Sequence, residues 1–434
     1  MTPRALLLTI AIGAIAVLAL WWKDTPRIVG AGDALTNAGR ITGLLAGYAI
    51  AVLLLLMARI PALENGVGAD RLARWHSMGG RYVVGLASGH ALLIIWGYAV
   101  TAHENVVHQT KTLLVSYPDV LMATVALGLL LGIGAVSARA VRRKIAYETW
   151  YYLHFYTYLA IALAFSHQFA DGAEFLASRS ARIAWASLYI GTAAALLWFR
   201  FLTPIRQAFR HQLRVMSVTP EAPGVWSVLV SGRHLEELAA RPGQFFRWRF
   251  LTRRTWWTAH PFSLSAPPHP AVLRFTVKAL GGHSEQIRAL APGTRVLAEG
   301  PYGALTSARC TRRRVLLLAG GVGVAPLRAL FETLPASTGD LTLVYRTSSP
   351  EEVLFRAELD AIAAARGAHV HYLIGPRGGQ ADPLLPGRLP QLVPHLRDYE
   401  TYVCGPPGMT DAAVTALRAA GIPRRHIHTE AFSF

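Results

Sequence analysis

The chain has 434 residues, 53% of them hydrophobic, with a mean hydropathy of +0.33 and a formal net charge of +18. At ~100–200 residues per domain this length suits one membrane domain plus a soluble module of one or two lobes. No basic stripe marks the soluble half, which argues against a nucleic-acid binder, and two cysteines without a C-x-x-C spacing argue against thiolate iron–sulfur clusters and Cys-rich zinc sites.

Six apolar runs come first, at about 5–22, 41–58, 82–100, 119–137, 150–170 and 183–202. Each approaches the ~20 residues that a helix needs to cross hydrocarbon, so six spans are expected. The first is read as a span rather than a cleaved leader, because no A-x-A-like site follows it and Trp21 and Trp22 resemble an interface belt. The fifth carries Tyr151, Tyr152, Tyr156, Tyr158 and two histidines, as a lined interior would. Basic residues crowd the second and fourth connections (Arg59, Arg71, Arg74, Arg81; Arg139, Arg142, Arg143, Lys144) and follow the last span. The positive-inside rule then puts both termini and the soluble half in the cytoplasm, in a multi-pass protein of the cytoplasmic membrane. A cytoplasmic address disfavours a disulfide between Cys310 and Cys404.

The stretch HSMGGRYVVGLASGH places His76 and His90 14 residues apart, and His154 and His167 in the fifth run are 13 apart. Each interval is about 20 Å along a helix; 14 residues is close to four whole turns and 13 is about 3.6. The third and fifth spans run in the same direction, so His76 can meet His154 near the inner side and His90 can meet His167 near the outer side. Facing imidazoles suit the two axial positions of a haem iron, and Gly79, Gly80, Gly85 and Gly89 leave room for a flat macrocycle or for close helix packing. Buried structural histidines, or a proton or metal pathway, are the alternatives. Arg40, in GRITGLLAGYA at the outer end of the second span, is positioned to offset propionate charge or attract an anion; a plain interface arginine is the alternative. His103 and His108 lie in an outer connection and read as solvated.

From Leu213 the pattern turns to strands. VWSVLVSG, RPGQFFRWRF, AHPFSLSAP and LRFTVKAL imply a small antiparallel barrel over roughly 213–308. RRRVLLLAGGVGVAPLRALFETL is then strand, glycine turn and helix. Glycines there let a pyrophosphate approach the helix N-terminus, although the spacing is not G-x-G-x-x-G and a structural tight turn is the alternative. DLTLVYRTSS, AHVHYLIG and YETYVCGPPGMTDAAVTAL continue a parallel α/β lobe to residue 434. The domains expected are 1–208 (six-helix transmembrane), 209–308 (antiparallel β-barrel) and 309–434 (parallel-sheet nucleotide lobe).

Together these residues resemble the ferric reductase/NADPH oxidase superfamily over nearly the whole chain, most closely its bacterial NADPH-oxidase-like members with a fused ferredoxin–NADP reductase-type module. The resemblance implies haem b at the His76/His154 and His90/His167 pairs and FAD on His260, Pro261, Phe262 and Ser263. It also implies contact with the FAD pyrophosphate from Lys278 and the Gly282–His283–Ser284 turn. Gly320, Gly321, Gly323 and Pro326 match the nicotinamide-nucleotide loop, and Cys404, Gly405 and Pro406 the CGP segment near the nicotinamide. Phe434, with Phe432 as its alternative, resembles the terminal aromatic that stacks on flavin. Arg346, with Ser348 and Ser349, is suited to the 2′-phosphate of NADPH, with NADH as a second donor. Electrons would pass from NADPH through FAD and two haems to an extracytoplasmic acceptor, oxygen giving superoxide or a ferric chelate. A periplasmic repair protein as acceptor, or a channel with a regulatory nucleotide domain, are further readings. Without EF-hand or Pro-rich segments, no obligatory protein partner is expected.

Overall fold

The computed structural model describes residues 1–434 except 25–27, 118, 143, 146, 172–177, 280, 282, 377, 379–381, 383, 386 and 432–434. The chain divides into two compact units, Met1–Val67 with Arg71–Arg200, and Gly68–Asp70 with Phe201–Phe434.

The first unit is helical. Five helices are long and apolar enough to cross a membrane: Pro3–Lys23, Ala31–Leu56, Arg71–Ala102, Val120–Ser137 and Arg179–His211. The fifth apolar run forms the helix Tyr147–Asp171, but its tyrosines and histidines keep it out of that set, so six spans become five candidates plus this helix. The third run begins earlier than the sequence suggested. Its helix covers Ala69–Ala102 and so carries both His76 and His90. Polar side chains tie the helices to one another: the Tyr48 hydroxyl donates to the Ile10 carbonyl at 2.9 Å, Tyr189 to Gly47 at 3.0 Å, and the Trp185 indole to Gln168 Oε1 at 2.7 Å.

The second unit has two lobes. In the first, β1 (Arg214–Ala222), β2 (Val225–Ser231) and β5 (Val272–Lys278) form one antiparallel sheet, and β4 (His260–Ser263), β3 (Phe245–Phe250) and β6 (Val296–Tyr302) form another. The expected closed barrel is therefore seen as two three-stranded sheets, bridged at Arg214–Arg295 and Leu264–Phe275. Strand alternation explains the core: in FFRWRF, Phe246, Trp248 and Phe250 are buried, while Arg247 turns out to Glu299 at 3.3 Å. Trp248 stacks on Phe275, with ring centres 4.4 Å apart. The helix Thr203–His211 packs on this lobe, where Gln207 donates to the Gly300 carbonyl at 2.9 Å.

The second lobe is a five-stranded parallel sheet in the order β11-β10-β7-β8-β9, from Ile427–Ala431, Tyr399–Gly405, Arg314–Gly320, Leu341–Thr347 and His369–Ile374. The run RVLLLAG of β7 is buried on both faces, as a central parallel strand requires. An ion network joins the lobes: Arg274 on β5 holds Glu358 with two bonds of 2.8 Å, and Arg328 reaches the same carboxylate at 2.7 Å. Burial raises the Glu358 pKa, but the bonds and charge of Arg274 and the charge of Arg328 outweigh it and hold the carboxyl below its ordinary value.

Glu400 on β10 is fully buried and binds His428 Nε2 at 2.6 Å, His426 Nδ1 at 3.2 Å and the Thr311 hydroxyl at 2.8 Å. Burial pushes its carboxyl up, but the Thr311 and His428 hydrogen bonds outweigh it and leave the pKa below the ordinary value. Burial holds His428 below the usual histidine range. Both groups thus resist protonation in the fold. Their stabilisation is present above about pH 6.5 for the histidine and about 4.3 for the carboxyl, and is lost as pH falls through the folded values. The melting temperature is expected to fall with pH from about 6.5 downward; because Glu400 holds the His428 pKa up, Glu400→Gln should steepen the histidine's part of that fall and remove the carboxyl's part below about pH 4.3, and a scan of melting against pH checks both.

Candidate functional site

Within the helical unit the two histidine pairs are brought face to face. The His76 and His154 ring centres are 5.9 Å apart and those of His90 and His167 are 6.4 Å apart. Two metal–imidazole bonds of roughly 2 Å, each extended by about 1 Å to the ring centre, would put centroids about 6 Å apart. His76 Nδ1 lies 3.1 Å from the Leu53 carbonyl, and His90 Nδ1 lies 2.8 Å from the Gly39 carbonyl. A backbone carbonyl can only accept, so both rings carry their proton on Nδ1 and present Nε2 as the lone-pair nitrogen. His154 Nδ1 is buried without a hydrogen-bond partner, and its ring stacks on Trp150 at 5.2 Å.

The contribution of the second span was missed from sequence. A Cβ at Gly43 would come within 2.6 Å of His90 Nδ1, so only glycine lets the imidazole lie against this helix. The signal was present as Gly39, Gly43 and Gly47 at intervals of four, the small-residue stripe of close helix packing. Arg40, half-buried, follows the glycine whose carbonyl holds His90 and has no ion-pair partner among the described residues. His108, in the first turn of the helix Val106–Ser116, is exposed and bonded to Glu104 at 2.6 Å.

In the antiparallel lobe, His260 to Ser263 form β4, paired with β3 at Trp248↔His260 and Phe245↔Ser263. Phe262 lies on the inner face of this strand. It is buried in the core and stacked on Phe275 at 5.5 Å, because residues alternate along the strand and its neighbours take the other face. Lys278 ends β5 with Nζ 3.5 Å from Glu352. Ser284 donates to the Gly281 carbonyl at 2.8 Å. Gly282, Phe432 and Phe434 lie outside the described residues, as does the side chain of His283.

In the parallel lobe, β7 leads through Gly320, Gly321 and Gly323 into the helix Val324–Thr333, with Pro326 in its first turn. Gly321 has a φ of +53°. A Cβ at Gly323 would lie 2.3 Å from the Cys404 carbonyl oxygen, and one at Gly320 would lie 2.0 Å from Met409 Sδ. Cys404, Gly405 and Pro406, at the end of β10, thus abut the β7 turn. This is the point where strand order reverses, and ligands of open parallel sheets bind there. The Cys404 side chain is fully buried in the core.

Arg346, near the end of β8, has Nε 3.5 Å from Asp382 and a buried Nη2 without a partner. Asp382 also accepts from the Gly378 and Leu384 amides, at 2.8 and 3.1 Å. Sequence reasoning found no acid immediately beside Arg346, because Asp382 arrives from a later loop. Ser348 is exposed, and its amide donates to Glu352 at 3.2 Å. If Arg346 grips a 2′-phosphate, Arg346→Gln should raise the KM for NADPH about tenfold with little change for NADH. Asp382→Asn should shift preference toward NADPH, and steady-state kinetics with both nucleotides reads each variant.

Residues 42–165 match the family described as ferric reductase like transmembrane component, 227–306 an FAD-binding domain and 317–415 an oxidoreductase NAD-binding domain. The chain therefore joins a ferric-reductase-like transmembrane component to a reductase module of the flavin and NAD(P)-binding class. Over 234 residues it is 33% identical to the ferredoxin reductase component of 3-ketosteroid-9-alpha-monooxygenase of Mycolicibacterium smegmatis, covering 51% of this chain and 65% of that protein. Over 200 residues it is 27% identical to the ferredoxin–NAD(P)+ reductase component of the naphthalene 1,2-dioxygenase/salicylate 5-hydroxylase systems of Ralstonia sp., covering 44% and 60%. The chain thus spans less than two thirds of these relatives. The crystal structure of the FAD/NAD-binding domain of nitric oxide dioxygenase from Vibrio cholerae is similar at 22% identity and a TM-score of 0.44, over 51% of this chain and 98% of that one.

These names correct one expectation. The relatives are reductase components of multi-protein oxygenase systems, so the reading that no obligatory protein partner is needed does not stand. It rested on missing EF-hand and Pro-rich segments, and a folded docking face leaves no such mark in sequence.

Proposed function

We propose that the chain moves electrons from NADPH across the membrane to an acceptor on the far side, oxygen first and ferric chelates second. The observation that carries this reading is the facing of two histidine pairs, with the Nδ1 atoms of His76 and His90 held by backbone carbonyls. When bound, FAD takes a hydride and gives up electrons singly, and two b haems relay them. The residues fit these groups. Ring separation matches a shared metal, and a Cβ at Gly80, Gly85 or Gly89 would meet nothing within 4 Å. Carbonyl-bound Nδ1–H raises the basicity of the opposite nitrogen. A histidine on each side leaves no open position, which favours electron transfer over oxygen binding at the metal. The helix N-terminus at Val324 and the glycine turn before it would receive the nucleotide pyrophosphate, with Arg346 on the 2′-phosphate. Arg40 would attract an anionic acceptor or offset propionate charge.

Vesicles holding the full chain, supplied with NADPH, test the acceptor. Superoxide-dismutase-sensitive reduction of an outer dye should outpace reduction of ferric citrate. The reverse order would assign ferric reduction instead. Superoxide alone does not decide, because a low-potential haem autoxidises.

The relatives' names favour a second reading, in which the reductase half serves a soluble ferredoxin. Reduction of an added ferredoxin faster than any membrane acceptor would establish it in place of the first.

A further inference from the structure

The first turns of the helices Pro3–Asp24 and Ala69–Ala102 flank an open cavity of about 470 Å³. Arg4, Arg71 and Arg74 line it together with Leu7, Trp75 and Met78, and no carboxylate is among its lining residues. Its volume falls within the ~300–1,000 Å³ of small-molecule sites. Arg71, Arg74, Trp75 and Met78 recur at i, i+3, i+4 and i+7, so one helical face supplies most of the wall. His76 lies off that stripe, with its Nδ1 turned to the Leu53 carbonyl, and the cavity is separate from the histidine pairs. Among the described residues none of the three arginines has an ion-pair partner, whereas nearby Arg59 pairs with Glu64 at 3.5 Å.

We propose that this cavity binds one anionic phospholipid, its phosphodiester on Arg4, Arg71 and Arg74 and the start of an acyl chain against Leu7, Trp75 and Met78. Both helices are long and apolar enough to span a bilayer, so their first turns come at headgroup depth. A guanidinium binds phosphate oxygens in pairs, and tryptophan prefers the interface. Basic pockets between spanning helices on the cytoplasmic side bind acidic headgroups. Arginines that served only orientation would need no shared cavity and no aromatic wall. The proposal requires only the membrane-spanning region and is independent of the haem reading.

The test uses the full chain in nanodiscs of equal phosphatidylcholine and phosphatidylglycerol, followed by native mass spectrometry of the released protein. The wild type should retain phosphatidylglycerol over phosphatidylcholine by on the order of tenfold. R71Q/R74Q should lose that preference with FAD content unchanged, and R71K/R74K should keep most of it. M78W, which fills the cavity and leaves the charge, should also release the lipid, and it serves if the double variant does not fold. Equal retention of both lipids by the wild type would overturn the proposal, as would undiminished phosphatidylglycerol on R71Q/R74Q. Excess glycerol phosphate should fail to displace the lipid; displacement would show that a free phosphate is enough and would overturn the lipid assignment.

Discussion

Replacing His154 by alanine is expected to leave one haem per chain instead of two, and to slow NADPH-driven reduction of the far-side acceptor by at least ~100-fold. Loss of an outer-shell partner of a metal ligand already costs about 10–100-fold, and on the proposed reading His154 is a ligand itself. Its ring centre lies 5.9 Å from that of His76, and Trp150, stacked on it at 5.2 Å, has no lone-pair nitrogen to take its place. Reduction of a soluble dye by the flavin half should persist, which separates this outcome from general misfolding. His108→Ala is the contrast. His108 is exposed and bonded only to the Glu104 side chain and its own turn, and its replacement should change neither haem content nor rate. Haem counting and acceptor kinetics on both variants check the pair.

Gly323→Ala is expected to produce the second large effect, and in the opposite half of the chain. The added Cβ would sit 2.3 Å from the Cys404 carbonyl oxygen and 2.7 Å from the Gly405 amide nitrogen. These are backbone atoms of a fully buried strand, so no rotamer change relieves the contact. Relief requires the β7 turn and the end of β10 to part. Overpacking of this kind costs about 1–3 kcal/mol in stability. The cleft between these two loops is also where the nucleotide would lie, and a shift of about 1 Å can cost about a hundredfold in rate. Flavin reduction by NADPH in stopped flow should therefore slow about a hundredfold while FAD content holds. Gly339→Ala, at an exposed turn with open space around it but a φ of +80°, should cost about 1–2 kcal/mol of stability through backbone strain and yet leave flavin reduction unchanged.

The elements that sequence revealed best are those in which every level agrees. RVLLLAG reads as a buried parallel strand and is one, and the glycines after it do open a helix. The histidine pairing followed from the near-equal spacing of 14 and 13 residues, about 20 Å in each helix, and from the shared direction of the third and fifth runs. Three features were harder to see. Phe262 lies in a segment that resembles a flavin-binding motif, and strand alternation sends its ring inward, which the motif alone does not show. Asp382 reaches Arg346 through a loop whose path no periodicity describes. The Leu53 and Gly39 carbonyls that orient His76 and His90 are backbone atoms, and backbone leaves no residue-type signature beyond the glycine spacing that lets it approach. The buried Glu400–His428 pair was likewise silent, because its partners are 28 residues apart and meet only through the β10–β11 pairing.

The most direct test of the transmembrane electron path is an absorption spectrum of the purified chain before and after anaerobic NADPH, with a pyridine haemochrome count on the same sample. Two b-type haems per chain, both reduced by NADPH, is the expected result. A preparation that binds FAD and oxidises NADPH but shows no haem absorbance would contradict it, and would leave the four facing histidines as structural residues of a membrane-anchored flavin reductase.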